Sequence, residues 1–178
     1  MNQLPAPLLS IGLVVLILAA LLGVRSGKNG SFRYWAAIAA GGALTVFVFA
    51  LVAGFNHPGV PLYDPWLSCF RVDGLNAIPL VSYTFLLLVF LLIAPSRDVV
   101  GSRSSGLLLV CAGTICAYSA STLPVLALGW WVTTLPFALG LFDASPTRWL
   151  NTAFLSASAL ALTAFVWMTH SVSIDAAP

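Results

Sequence analysis

Apolar and polar positions in this chain fall into long blocks, with no alternation between them. Residues 8–24, 34–55, 77–94, 105–120, 123–142 and 150–168 are six runs dominated by Leu, Val, Ala, Phe and Ile. Each approaches the ~20 apolar residues that an α-helix needs to cross a bilayer. A transmembrane barrel would show segments of about ten residues alternating in polarity. The pattern predicts an all-α membrane protein: a bundle of about six transmembrane helices in a single polytopic domain spanning residues 1–178.

The polar breaks between runs add an orientation. RSGKNGSFR carries Arg25, Lys28 and Arg33, PSRDVVGSRS carries Arg97, Asp98 and Arg103, and DASPTRW carries Asp143, Pro146 and Arg148. The longer break after the second run holds Pro58, Gly59, Pro61 and Pro65, which are expected to exclude regular structure. Its Tyr63, Trp66 and Phe70 suit the headgroup level. The fourth and fifth helices are expected to form a tight hairpin. With six helices alternating sides, six of the seven basic residues fall on one side and only Arg71 on the other. The positive-inside rule then puts both termini on the outer, periplasmic side of a bacterial inner membrane. Residues 1–10 lack the basic residue of a secretory n-region, so residues 8–24 read as a helix of the mature protein.

Composition agrees. The chain is 60% hydrophobic and 7% charged, against about a quarter charged in a soluble domain. Its surface is expected to face lipid or protein. A net charge of +2 carries no nucleic-acid signal. Cys69, Cys111 and Cys116 have no zinc spacing, and Cys111 and Cys116 are expected as small core residues.

Candidate chemistry is sparse. Ion and proton pathways need ionisable groups inside the bilayer, and none falls within the six runs. There is no glutamate, and Asp64, Asp73, Asp98, Asp143 and Asp175 all lie in breaks or the tail. His57 and His170 read as interfacial residues, not as metal ligands. Asp64, Arg71 and Asp73 form either a small ion-pair cluster that folds the outer loop, the favoured reading, or a partner contact. Span hydroxyls such as Thr133, Thr134, Ser158 and Thr163 are expected to bond their own helix or join helices. Pro124 and Pro136 bracket the fifth helix. Two small-residue faces are candidate packing surfaces: Gly41 and Gly42 beside Ala36 and Ala40, and Ala153, Ala157 and Ala161 spaced four apart. No constellation calls for a cofactor or a metal.

Two stretches resemble the antiporter-like membrane subunits of respiratory complex I, a family that includes Mrp-type antiporter, membrane-bound hydrogenase and inorganic-carbon uptake subunits. DPWLSCFRVDGLNAIPLVSY, residues 64–83, is similar to the family's entry into its third helix, through Asp73, Gly74 and Leu75. Residues 107–136 are similar to its helix, turn and Leu/Trp-rich helix, through Leu123, Leu126, Gly129, Trp130, Leu135 and Pro136. The family's proton-pathway glutamate would fall on Trp131. The resemblance covers the leading helices and part of the first of two inverted repeats, so it implies a shortened relative without the key carboxylate.

The implied function is an accessory, non-catalytic membrane subunit of a bacterial ion- or inorganic-carbon-translocating complex, packed against larger membrane subunits. The alternative is one part of a split proton or cation transporter whose path another chain completes. In that case Thr133 and Thr134 would supply polar groups at midplane.

Overall fold

A computed structural model describes residues 8–26, 31–57, 60–73, 75–95, 101–142 and 148–175. It contains six helices: α1 (Leu8–Ser26), α2 (Phe32–Asn56), α3 (Ala77–Ile93), α4 (Gly101–Ser119), α5 (Leu123–Ala138) and α6 (Arg148–Asp175). Three of them, over Leu8–Arg25, Phe32–Asn56 and Trp149–Thr169, are long and apolar enough to cross a membrane, whereas α3 and α5 are apolar but shorter. Gly74, Lys28, Arg97, Asp98, Asp143 and Pro146, and the side chains of Arg148, His170 and Asp175, lie outside the described residues.

The buried positions follow narrow stripes. On α2 they are Ala36, Ala40, Ala43, Phe47, Ala50 and Gly54, and on α3 Ala77, Leu80, Thr84, Leu87 and Leu91. Steps of three and four keep one line of each helix facing its neighbours. The remaining faces carry exposed Leu, Ile, Phe and Trp. α4 sits at the centre, touching α1, α2, α3 and α5. It is the most fully buried helix despite Ser104, Ser105 and Ser119. Ser105 and Ser119 donate to the carbonyls of Gly101 and Ile115 on their own helix, which satisfies hydroxyls that would otherwise be costly to bury. α6 packs principally on α5.

The two ends of the bundle differ. At one end Arg33 of α2 reaches the C-terminus of α3, and Gly23 of α1 lies against Phe32 and Ser105. Arg25, Arg33 and Arg103 share this end. At the other end the described residues of the α2–α3 connection fold over the start of α1, the end of α4 and the turn between α4 and α5. It is not wholly irregular, as its prolines suggest. β1 (Leu62–Tyr63) pairs antiparallel with β2 (Arg71–Val72), matching Leu62 to Val72 and Tyr63 to Arg71, and Phe70 bridges to Ala120. Pro61 and Pro65 flank β1 without entering it, where a missing N–H would matter.

Several boundaries depart from expectation. α5 stops at Ala138, not near 142, because Gly140 takes φ 70°. Its N–H bonds the Phe137 carbonyl, and the Leu141 N–H bonds that of Pro136. This paired closure around a left-handed glycine is the Schellman ending. α4 starts four residues earlier than the apolar run, since its back-bonded serines tolerate the helix, and so takes in Arg103. The polar tail beyond residue 168 continues α6 to Asp175.

Candidate functional site

The residues singled out by sequence fall into three places: the entry to α3, the centre of α5, and the outward faces of α2 and α6.

At the entry to α3, Asp73 acts as a cap. Its Oδ1 accepts the N–H groups of Leu75 at 3.0 Å and Asn76 at 2.8 Å, while its own N–H donates to Asn76 Oδ1 at 2.8 Å. Such reciprocal bonding satisfies amides that the first helical turn leaves without partners. Asn76 Nδ2 also donates to the carbonyls of Arg71 and Tyr118, tying the entry to α4. Leu75 is exposed. The pairing of Asp73 with Asn76 sets the turn that leads into α3.

Asp64 differs from the expected ion-pair cluster. Its carboxylate is almost completely buried and is held by amides and a hydroxyl, not by Arg71. It accepts the Ser10 N–H at 3.0 Å, the Ser10 hydroxyl at 2.9 Å, and the N–H groups of Trp66 at 2.9 Å and Leu67 at 3.2 Å. One side chain therefore shapes the 64–67 turn and clamps it to the start of α1. The sequence signal was slight: Asp before Pro in a loop, a common turn former, with nothing to point at Ser10. Among the described residues, every buried side-chain N or O atom has a hydrogen-bond partner.

At the centre of α5, Gly129, Trp130, Trp131 and Pro136 play different parts. Gly129 is buried against α4: a Cβ there would lie 2.6 Å from the Ala117 nitrogen and 2.9 Å from the Gly113 carbonyl oxygen. Trp130 and Trp131 face α6. Trp130 Nε1 donates to Ser158 Oγ at 3.1 Å, and Trp131 Nε1 to Thr163 Oγ1 at 3.0 Å. Thr133 and Thr134 donate back to the Trp130 and Trp131 carbonyls. Pro136 is buried, and its carbonyl closes the helix end. Where the resemblance implies a carboxylate, the chain holds an indole whose single donor is occupied by the neighbouring helix. Cys111 and Cys116 are buried in the wall of α4, and Cys69 is half-buried near Ser121. Among the described residues no three of His, Cys, Asp and Glu come together.

The small-residue faces divide. Ala36 and Ala40 are buried inside the bundle, while a Cβ at Gly41 or Gly42 would meet nothing within 4 Å. On α6 the side facing α5 runs through Ala159, flanked by half-buried Thr152, Leu155, Ser158 and Leu162. Ala153, Ala157 and Ala161 lie off that line and are exposed.

The sequence matches no protein-family model, no curated protein and no solved structure.

Proposed function

We propose that this chain is an accessory, non-catalytic subunit of a membrane-embedded ion- or inorganic-carbon-translocating complex related to the antiporter-like subunits of complex I. In this reading all six helices span a bacterial inner membrane. Arg25, Arg33 and Arg103 lie at the cytoplasmic end, and both termini lie outside. The larger membrane subunits are its partners.

The observation that carries the reading is Trp131. A translocating subunit needs a group that binds and releases a proton within the bilayer. An indole N–H donates and does not titrate, and here it is spent on Thr163. The hydroxyls of Thr133 and Thr134 are likewise spent on their own helix, which leaves them poorly suited to a path through α5. The exposed alanine line of α6 supports the assembly role, because small residues let helices approach closely in lipid.

The test is gentle extraction of the tagged chain from native membranes, with mass spectrometry of what accompanies it. A large antiporter-like subunit in stoichiometric amount is the expected result. A chain recovered alone or only with copies of itself overturns the accessory role.

A further inference from the structure

Between α3 and α4 the bundle is left open along one side. The crevice has a volume of about 780 Å³ and runs from Tyr83 to Pro95 along α3 and from Leu107 to Thr114 along α4. Its walls are apolar apart from Tyr83 and Thr114, both at the same end. There the Tyr83 and Tyr118 rings, with centroids 5.8 Å apart, form a stop. The opposite end is cationic. Arg33 donates Nη1–H to the Ala94 carbonyl at 2.6 Å and Nη2–H to that of Leu92, and Ala94 itself lines the crevice. A guanidinium has five N–H donors, so these two bonds anchor Arg33 without exhausting it. Arg103 lies at the same end, one helical turn before Leu107.

We propose that this crevice binds one anionic phospholipid, its acyl tail lying along α3 and α4 and its phosphate held by Arg33. The dimensions fit. From Tyr83 to Ile93, the lining part of α3 rises ~15 Å, which matches the ~15 Å that is half of a ~30 Å hydrocarbon core, so the crevice is one leaflet deep and its charge sits where that leaflet's headgroups are. A volume of about 780 Å³ over ~15 Å gives a mean cross-section of about 52 Å². A helix ~10 Å across would need ~80 Å², and a polymethylene chain needs far less. Arginine matches phosphate geometry with paired N–H donors, and net charge decides the headgroup, because a choline cation beside Arg33 is repelled where an uncharged glycerol is not. The inference rests on residence in a bilayer and not on the accessory role, so either can fail alone.

The test uses the full chain purified in mild detergent and given equal amounts of phosphatidylglycerol and phosphatidylcholine. Native mass spectrometry then reads retained lipid. One phosphatidylglycerol per chain is expected, preferred about tenfold, a factor that corresponds to about 1.4 kcal/mol. Val110→Trp, which fills the crevice from α4, should lose the lipid while keeping its helical circular dichroism. Arg33→Gln should keep a lipid but lose the headgroup preference. Equal retention of both lipids by the unaltered chain overturns the anionic-headgroup assignment, and full displacement by millimolar inorganic phosphate overturns the lipid as the source of the phosphate. Unchanged retention by Val110→Trp overturns the crevice. A photoreactive residue at position 110 should crosslink to a lipid in native membranes; a protein adduct there would assign the crevice to a partner instead.

Discussion

Gly113 of α4 and Gly129 of α5 meet backbone to backbone. A methyl group on Gly113 would stand 2.8 Å from the Gly129 carbonyl oxygen, and one on Gly129 would stand 2.9 Å from the Gly113 carbonyl oxygen. Neither contact can be relieved by turning a side chain, since the obstructing atoms are main chain. Gly129→Ala should therefore push α4 and α5 apart, with a loss of about 1–3 kcal/mol of stability and a Tm drop of several degrees in detergent. Gly42→Ala is the control. Open space surrounds that position, and removing a helical glycine should leave Tm unchanged or raise it slightly. Equal effects of the two substitutions would remove the crossing from the account.

The indoles of Trp130 and Trp131 hold α6 by single hydrogen bonds. Interhelical hydrogen bonds in membranes are worth ~0.6 kcal/mol on average and at most ~1.7. A double-mutant cycle of Trp131→Phe with Thr163→Val should give a coupling in that range. The Trp130–Ser158 pair should give a similar value, and Thr133→Val, whose hydroxyl bonds its own helix, should show no coupling to α6. A coupling near zero for both tryptophan pairs would mean that the indoles do not hold α6, leaving packing and the Thr152 hydroxyl bond to the Phe137 carbonyl.

Asp64 joins residues 54 positions apart in the chain. Replacing it with alanine takes the carboxylate acceptor from the buried Ser10 N–H and from the part-buried Trp66 and Leu67 N–H groups, at about 1–3 kcal/mol for each group that water does not reach. Asp64→Ala should cost about 2–4 kcal/mol, with the loop between α2 and α3 becoming protease-sensitive before the helices unfold. Asp64→Asn, which keeps one acceptor oxygen, should lose less. Loss of Tm without early loop cleavage would place the effect elsewhere.

Ala157 is exposed on α6, so Ala157→Leu should change the stability of the isolated chain by less than about 0.5 kcal/mol. Under the accessory reading it should nevertheless lower the yield of the assembled complex. Wild-type yield would remove that face from the partner interface.

The six helices were legible because each contains one continuous apolar run, although only three of them reach the length and hydropathy of a membrane span. Their ends were less so. Nothing in the apolar block 123–142 marks Leu139 as the stop except Gly140, whose positive φ is a structural fact and not a compositional one. Gly101 to Ser104 read as a break because serine competes with helices, but burial keeps Ser104 in α4 and Ser105 back-bonds to Gly101. At the candidate site, the start of α3 at Ala77 was legible, but Asp73 read as part of an ion-pair cluster and not as the acceptor of the Leu75 and Asn76 amides. Asp64 and Ser10 were not legible as partners, since hydroxyls at helix starts are common and the pairing is purely tertiary. The partners of Trp130 and Trp131 were hidden for the same reason, and Arg71 was assigned an ionic role that backbone amides and a hydroxyl fill for both aspartates instead.

Among the described residues, the main buried cluster draws on α1 to α4 and residues 62–72, with Val125 and Leu141 packed against it, and contains none of α6. The interior of α1 to α4, with α5 laid against it, thus closes without the sixth helix. On the ribosome the interior can be complete before the last helix is made, and that helix then adds laterally, as a late tenant of the bundle. Truncation ahead of Arg148 should leave a folded remnant with one open side along Trp130 and Trp131, a side that a sixth helix from a second molecule could occupy by exchange.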